Sequence, residues 1–591
     1  MNVISLLHGH NSSAAFADEN GIVGVISEER FDRKKNSTAF PAQSIAYLLK
    51  SVGKESKDID LVVSASRVVP FTNPDEIQIY EEERRGQSRK IKTKIKRIIN
   101  DIYYRAPISR DFIRWMYRAK YNQQLSDATM NKVRSFMTSR MSVPTSKIIF
   151  ADHHLCHAYA GYYGFVPLHY RSEPFLVMTL DGEGDGLCAT VSIVRDDEWT
   201  TISKTPAGNS IASFYGAITK HLGMTINEHE YKVMGLAPYC SDHNRDKTLR
   251  KFQNLFTIND DLTFSSQGGG NYFSRWMNDH LRNERFDCVA AASQKYVEDI
   301  ACDWVRMAIE RTGINNIVLS GGFFMNIKVN KAISELSDVK KLVVCPSAGD
   351  ESVPLGALYY GLKELGVDVN QEKFFVDSLY LGSDIYEHEI LDAIKKYQVD
   401  NQFSVEKIDS IEERIAKLLA SGQVVARVDG PMEFGARALG NRSILGNPST
   451  PHVVKLINDQ IKNRDFWMPF ACSLLKESAD KYLKRVKDID YSYMAISCET
   501  TDVAREELLG GLHAYDFTAR PQLVSNENNV GYYKVIKEFE AITGIGGVLN
   551  TSLNLHGEPL VRTPDEALST FVRSGLQHIA IGKYLISKSY S

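Results

Sequence analysis

Apolar and polar positions follow two regimes along this chain. Short apolar runs stop abruptly at glycine-, serine- or acid-rich turns, and longer amphipathic stretches lie between them. Residues 2–7 read as a buried strand and 22–27 (Ile-Val-Gly-Val-Ile-Ser) as the next, a hairpin around a Gly/Asn/Ser tip. The pattern returns at 175–194, where Phe-Leu-Val-Met-Thr-Leu runs into Asp181-Gly182-Glu183-Gly184-Asp185-Gly186 and then Ala-Thr-Val-Ser-Ile-Val. Two strand, turn, strand units predict an internally duplicated α/β domain with one phosphate turn per half. A third turn, Ser320-Gly321-Gly322 to Asn326, follows Ile-Val-Leu and leads into a helix-compatible stretch. A fourth, Ser347 to Ser352, follows the strand 341–346. Polar turns gathered at strand ends are where ligands bind in such sheets.

The segment 365–405 is charged and irregular and makes the expected boundary, giving domains of 1–370 and 371–591. Beyond it come an amphipathic helix, Ile411 to Leu419, a strand at 423–428, and the glycine-rich run 432–443. At 591 residues the chain exceeds what one hydrophobic core serves, in agreement with two domains. Hydrophobic residues at 43%, charged residues at 24% and a formal charge of -3 favour a small partner over nucleic acid or membrane. The stretch 84–120 departs locally, with 13 Lys or Arg against two Asp among aromatics, and reads as a solvated helical insertion with nucleic-acid binding as the alternative. Eight scattered cysteines without a CxxC pair read as reduced thiols, and neither a basic leader nor a spanning apolar run is seen, so the cytoplasm is expected.

Chemistry concentrates at a few places. On a helix, His153 and His157 share one face, and Asp181 and Asp350, each on a turn after an apolar strand, complete a donor set for a divalent ion such as Fe, Mn or Zn. A structural histidine pair is the alternative, and His154 packs or hydrogen bonds to a ligand. The glycine-acid run suits polyphosphate, its glycines turning the backbone toward phosphate and its acids holding a bridging cation. With Gly321, Gly322, Asn326 and the turn Gly9-His10-Asn11-Ser12-Ser13, it points to ATP, with magnesium as a companion ion. His10 is a candidate general base or a hydrogen-bonded turn residue. In the second domain, Arg437, Arg442, Lys462, Arg464 and Arg520 sit in Gly-, Asn- and Pro-rich surroundings and form a candidate anion pocket, against a reading as scattered surface ion pairs. Asn550 and Ser552 offer amide and hydroxyl groups at a strand end.

Together these segments resemble the O-carbamoyltransferase family, the group of the nodulation-factor, tobramycin and cephamycin enzymes. The resemblance spans nearly the whole chain. Its most specific pieces are Ser27-Glu28-Glu29-Arg30-Phe31 with Phe40-Pro41, HHLCHA at 153–158, LDGEGDG at 180–186, and Glu230-Tyr231-Lys232-Val233-Met234-Gly235-Leu236-Ala237-Pro238. LSGGFFMN at 319–326, MEFGARALGNRSIL at 432–445 and LNTSLNLHGEP at 549–559 complete them. The resemblance implies a duplicated actin/Hsp70/sugar-kinase-like first domain and a YrdC-like α/β second domain. It also implies a relay in which carbamoyl phosphate is split in the second domain and the carbamate attacks the α-phosphate of ATP. Carbamoyl adenylate then passes its carbamoyl group to a hydroxyl of a small specialised metabolite. Because carbamate decomposes in water, such chemistry requires an enclosed passage.

On that resemblance Arg437, Arg442, Lys462, Arg464 and Arg520 neutralise carbamoyl phosphate, with Arg437 and Arg520 catalytic, while Asn550 and Ser552 hold the carbamoyl amide. Asp181, Glu183, Gly184, Asp185, Lys232, Gly321, Gly322 and Asn326 hold ATP or the adenylate. His153, His157, Asp181 and Asp350 hold the metal, taken as iron(II), and His10 deprotonates the acceptor. Several positions depart from the family pattern. Asn11 replaces an Asp, Ala436 a Pro, Met468 an Arg and Cys240 a Gly, and Asp429-Gly430-Pro431 stands where Gly-Arg is common. A tRNA threonylcarbamoylation enzyme and a nucleotide-switched binding protein are the alternative functions, and the acceptor and the oligomeric state are not legible.

Overall fold

The computed structural model describes residues 1–67, 127–398, 403–462, 464–487 and 489–588, so the basic stretch 84–120 lies outside the described residues. By internal contacts the chain divides into two compact units, Met1–Val23 with Asn36–Phe375, and Gly24–Lys35 with Val376–Ser591. The short segment 24–35 therefore groups with the second unit, which no composition shift announces.

The first unit carries β1 (Val3–Leu7), β2 (Ser13–Asp18), the start of β3 (Gly21–Ser27, whose residues from Gly24 group with the second unit), β4 (Leu61–Ser64) and β5 (Ile148–Phe150), then β6 (Phe175–Gly184), β7 (Leu187–Arg195) and β8 (Glu198–Pro206). A two-stranded ribbon of β9 (Phe256–Ile258) and β10 (Phe264–Ser266) precedes β11 (Asn316–Ser320) and β12 (Lys341–Val344). One sheet runs β3-β2-β1-β4-β5 and the other β8-β7-β6-β11-β12, so the two halves share one strand order. The pairings agree as well: β1 is antiparallel to β2 and parallel to β4, as β6 is to β7 and β11. This doubled order is the internal duplication that the repeated strand, turn, strand pattern led one to expect.

The hairpin expected from 2–7 and 22–27 is corrected here. A further strand, β2, lies between them and pairs with β1 from Val3 opposite Ala17 to Leu7 opposite Ser13. Its sequence, Ser-Ala-Ala-Phe-Ala-Asp, has little intrinsic strand preference, and burial of all six residues overrides that preference.

Each half closes with a helix after its fifth strand, His153–Phe165 after β5 and Val353–Glu364 after β12. These helices pack on one another, the first also on β6 and β11 and the second on β1 and β4. Glycine permits the approach: a Cβ on Gly356 would fall 1.7 Å from the Cys156 carbonyl oxygen, and one on Gly161 would touch Val318.

The second unit is built on a mixed sheet of eight strands. It comprises β13 (Phe403–Lys407), β14 (Val425–Val428), β15 (Arg442–Gly446), β16 (Ala471–Leu475), β17 (Gln522–Val524), β18 (Gly547–Ser552), β19 (His578–Ile581) and β20 (Tyr584–Lys588). Their order is β13-β20-β19-β14-β15-β18-β16-β17. The apolar stripes of the helices Glu387–Lys396 and Pro564–Arg573 complete its core, with Ile390, Ile394, Leu568 and Phe571 buried against Val428, Ile444 and Ile579. No helix among the described residues is long and apolar enough to cross a membrane.

Candidate metal centre and anion pocket

The helix His153–Phe165 begins cleanly because the Asp152 carboxylate caps it, accepting from Leu155 N at 3.0 Å. One turn later His157 meets His153 edge to face, ring centroids 4.7 Å apart. Asp350, at the start of the closing helix of the other half, brings Oδ1 to 3.5 Å from His153 Nε2 and 3.4 Å from His157 Nε2. Asp181, at the end of β6, stands 3.7 Å from His153 Nε2. Ligands about 2.1 Å from a tetrahedral ion lie about 3.4 Å apart, so this spacing fits a shared divalent cation. The donor chemistry agrees: His153 Nε2, both nitrogens of His157 and Asp350 Oδ1 are buried without a hydrogen-bond partner among the described residues.

Electrostatics tell the same story. Burial opposes a charged imidazole at His153, yet the Asp181 and Asp350 carboxylates outweigh it and hold its pKa well above the ordinary value. Burial likewise disfavours the Asp350 carboxylate, and the two histidines overcome it and depress its pKa. These acids and imidazoles want a positive charge among them. His154 faces away, its Nδ1 2.8 Å from the Thr179 hydroxyl, and burial keeps it neutral with a pKa lowered to about 4.

Several residues read from the sequence as nucleotide ligands have other work. The Asp185 carboxylate accepts from Ser66 Oγ at 2.7 Å, from Arg67 N–H and from His153 N–H at 2.9 Å, so it anchors the start of the histidine helix. Asn326 is corrected in the same sense. Its side-chain oxygen caps the helix Ile327–Ser334, and its amide nitrogen donates to Gln294 at 3.0 Å, which commits both ends. The glycines clear space beside the metal ligands. A Cβ on Gly184 would lie 2.0 Å from the His153 ring, and one on Gly322 2.6 Å from Asp181 Oδ1, to which the Gly322 N–H donates at 2.9 Å. Gly321 takes φ +101°, and a Cβ there would lie 2.3 Å from the Leu180 carbonyl oxygen, so the close approach of the two strands requires glycine. Glu183 remains exposed on the turn, and Lys232 is half-buried on the helix Glu230–Leu236.

His10 is half-buried on the β1–β2 turn, within electrostatic reach of the Glu230 carboxylate, a neighbour the sequence reading missed although it quoted the motif. Only folding relates them, because 219 intervening residues separate the two positions. Asn11, with φ 55°, donates to Glu351 Oε2 at 3.3 Å. An Asp at this position would set two carboxylates against each other.

In the second unit Arg442 is fully buried at the start of β15, and its guanidinium donates to the carbonyls of Ser383, Asp429, Gly430, Asn441 and Arg562. It is a scaffold residue, which corrects its place in the anion set. Glu433 supports the same loop by accepting the N–H groups of Leu439, Asn441 and Arg442. The other cations do converge. Burial lowers the pKa of Arg520, and Arg437 and Arg464 lower it further, while among the described residues no hydrogen bond or ion pair holds the Arg520 guanidinium. Arg464 stacks on Phe470 at 4.9 Å and donates to Thr551 Oγ1 at 3.0 Å. Lys462 donates to Ser552 Oγ at 3.1 Å and to Asn554 Oδ1 at 2.7 Å, and burial, then Arg464 and Lys35, hold its pKa well below the ammonium range. Thr551 and Asn554 belong to the strand-end motif quoted from the sequence, and Lys35 is the contributor missed there. The Asn550 amide nitrogen donates to Ala438, Ser473 and Gln522, while its Oδ1 is buried without a partner among the described residues. An oxyanion would relieve the repulsion among these cations.

Comparison with known proteins places this geometry. Residues 3–359 match the family model described as carbamoyltransferase N-terminus, and residues 416–588 the one described as carbamoyltransferase C-terminus. An uncharacterised protein of Methanocaldococcus jannaschii is 31% identical over 457 residues, 74% of this chain and 73% of its own length. Nodulation protein NolNO of Sinorhizobium fredii is 27% identical over 595 residues, 98% of this chain and 79% of that protein. An uncharacterised protein of Synechocystis is 27% identical over 98% of this chain and 95% of its own length.

Proposed function

The chain belongs to the carbamoyltransferase family, and we propose on that footing a division of labour between its two units. It is an ATP-dependent O-carbamoyltransferase that uses carbamoyl phosphate and modifies a hydroxyl of a small molecule. Carbamoyl phosphate binds in the second unit, read as YrdC-like, with its phosphate against Arg437, Lys462, Arg464 and Arg520. The observation that carries this reading is the convergence of Arg437 and Arg464 on Arg520, whose own guanidinium meets no carboxylate among the described residues. Hydrolysis there gives carbamate and phosphate. Carbamate and ATP then give carbamoyl adenylate and pyrophosphate, and the acceptor hydroxyl displaces AMP.

In the first unit, His153, His157, Asp181 and Asp350 would hold a divalent ion, read as iron(II), which when bound supplies positive charge beside phosphate. His10 takes the proton of the acceptor hydroxyl, and the Glu230 carboxylate stabilises the imidazolium that results. Glu183 and Lys232 are the remaining candidates for contact with the nucleotide. The natural acceptor belongs to specialised metabolism and the enzyme acts in the cytoplasm.

The experiment incubates the protein with ATP, with and without carbamoyl phosphate, and follows pyrophosphate. Release that requires carbamoyl phosphate supports the assignment. ATP turnover indifferent to carbamoyl phosphate overturns the role given to the second unit.

A further inference from the structure

A second cluster of reactive side chains lies in the first unit, apart from the metal centre. Cys240 follows the short turn Ala237–Tyr239, and Cys288 sits in the first turn of the 27-residue helix Phe286–Thr312. Ala237, Cys240, Cys288 and Ala291 pack together, and their small side chains let the two segments approach. The Cys240 thiol donates to Cys288 Sγ at 2.7 Å. A disulfide needs about 2.05 Å, and two sulfurs on a tetrahedral zinc ion stand about 3.8 Å apart. The observed separation is nearer the covalent bond than the shared ion.

The two thiols are unequal. Cys288 accepts the hydrogen bond and lies at a helix N-terminus, where the dipole favours a thiolate. Burial pushes Cys240 up to about 12, and its hydrogen bond to Cys288 adds to that. Burial also raises Cys288, but the hydrogen bond from Cys240 opposes the rise. Asp287 beside it is held by Arg285 at 2.7 Å and 3.1 Å and, like burial, raises Cys288.

We propose that Cys240 and Cys288 form a reversible disulfide when the protein meets a peroxide, fastening the Glu230–Tyr239 segment to the helix Phe286–Thr312. The Cys288 thiolate attacks hydrogen peroxide, the O–O bond breaks, and a sulfenic acid and hydroxide result. Cys240 Sγ then attacks the sulfenic sulfur, the S–O bond breaks, and the departing oxygen leaves as water with the Cys240 proton. Two thiols and one peroxide become one disulfide and two waters, and a thiol reductant reverses the change. The fastened segment carries Glu230 and Lys232.

The test treats the full-length reduced protein with one equivalent of hydrogen peroxide, alkylates the remaining thiols, and maps peptides by mass spectrometry. Expected are a loss of 2 Da, a linked peptide joining Cys240 and Cys288 that a thiol reductant separates, and amide exchange across 230–240 slowed at least tenfold. Cys302→Ser should leave the link intact, and Cys240→Ser should replace it with an oxidised Cys288. The proposal is overturned if both thiols stay open to alkylation, if the link forms only in urea, or if the reduced pair instead binds zinc with sulfur-to-metal absorption.

Discussion

The histidine centre of the first unit and the arginine cluster of the second are both collections of polar atoms short of partners, yet they lack opposite things. At His153, His157, Asp181 and Asp350, buried acceptors stand about 3.5 Å apart, a spacing that suits a shared divalent cation. Around Arg520, cations repel one another with no carboxylate on that side chain among the described residues. The first environment raises an imidazole pKa and depresses carboxylates, and the second depresses an ammonium. The sign of the local charge favours a divalent cation in one place and an oxyanion in the other.

The sharpest way to break this comparison is His153→Ala. It removes a donor from one centre alone, so bound metal should be lost and acceptor carbamoylation abolished, while carbamoyl phosphate binding measured by calorimetry stays unchanged. Full metal content in the variant would mean that the ligand set is wrongly drawn.

Within the second unit, two arginines separate ligand from scaffold. Arg520→Ala should weaken carbamoyl phosphate binding about 100-fold with little loss of stability, because its guanidinium holds no acceptor among the described residues. Arg442→Ala strips the donor from five carbonyls and should cost about 3–5 kcal/mol in urea unfolding. Equal destabilisation of the two variants would erase the distinction.

A smaller effect is expected at Asn326→Ala. Loss of the cap should lower stability by about 1 kcal/mol. The KM for ATP should hardly move, and a tenfold rise would return Asn326 to the nucleotide site.

The smallest effect is in the pH dependence of the protein without carbamoyl phosphate. Lys462 has a depressed pKa when folded and an ordinary one near 10.5 when unfolded, so between these values the unfolded chain binds more protons. Stability therefore rises with pH across that window, by about 1.4 kcal/mol per pH unit at most, and levels off above it. Thermal unfolding of Lys462→Met should lose this slope, and added carbamoyl phosphate should reduce it in the parent by stabilising the ammonium.

Much of this was legible in the chain. The run into Asp181 and the run into Ser320 were recognisable strands, and four-residue spacing sufficed to put His153 and His157 on one helical face. Misreadings came where a residue's hydrogen bonds close over long sequence distances. Asp185 looked like a phosphate-turn acid, but its partners are Ser66, Arg67 and the His153 amide. Glu230 meets His10 only after the first unit folds, and its motif offered helix periodicity without a partner. β2 escaped notice because alanine-rich strands are specified by burial rather than by propensity.

By itself, then, the order of residues determined the alternation of elements, the duplicated pattern, the shared face of the histidines and the family. Those features depend on local periodicity and on the identity of short motifs. Only the tertiary structure decided which polar groups are left over for ligands. Arg442 and Arg520 are the same residue type in similar surroundings, and one is consumed by backbone carbonyls from four separate stretches of chain while the other is not. A side chain becomes available for chemistry only when folding leaves its hydrogen bonds unmade, and that is a property of the whole packing around it.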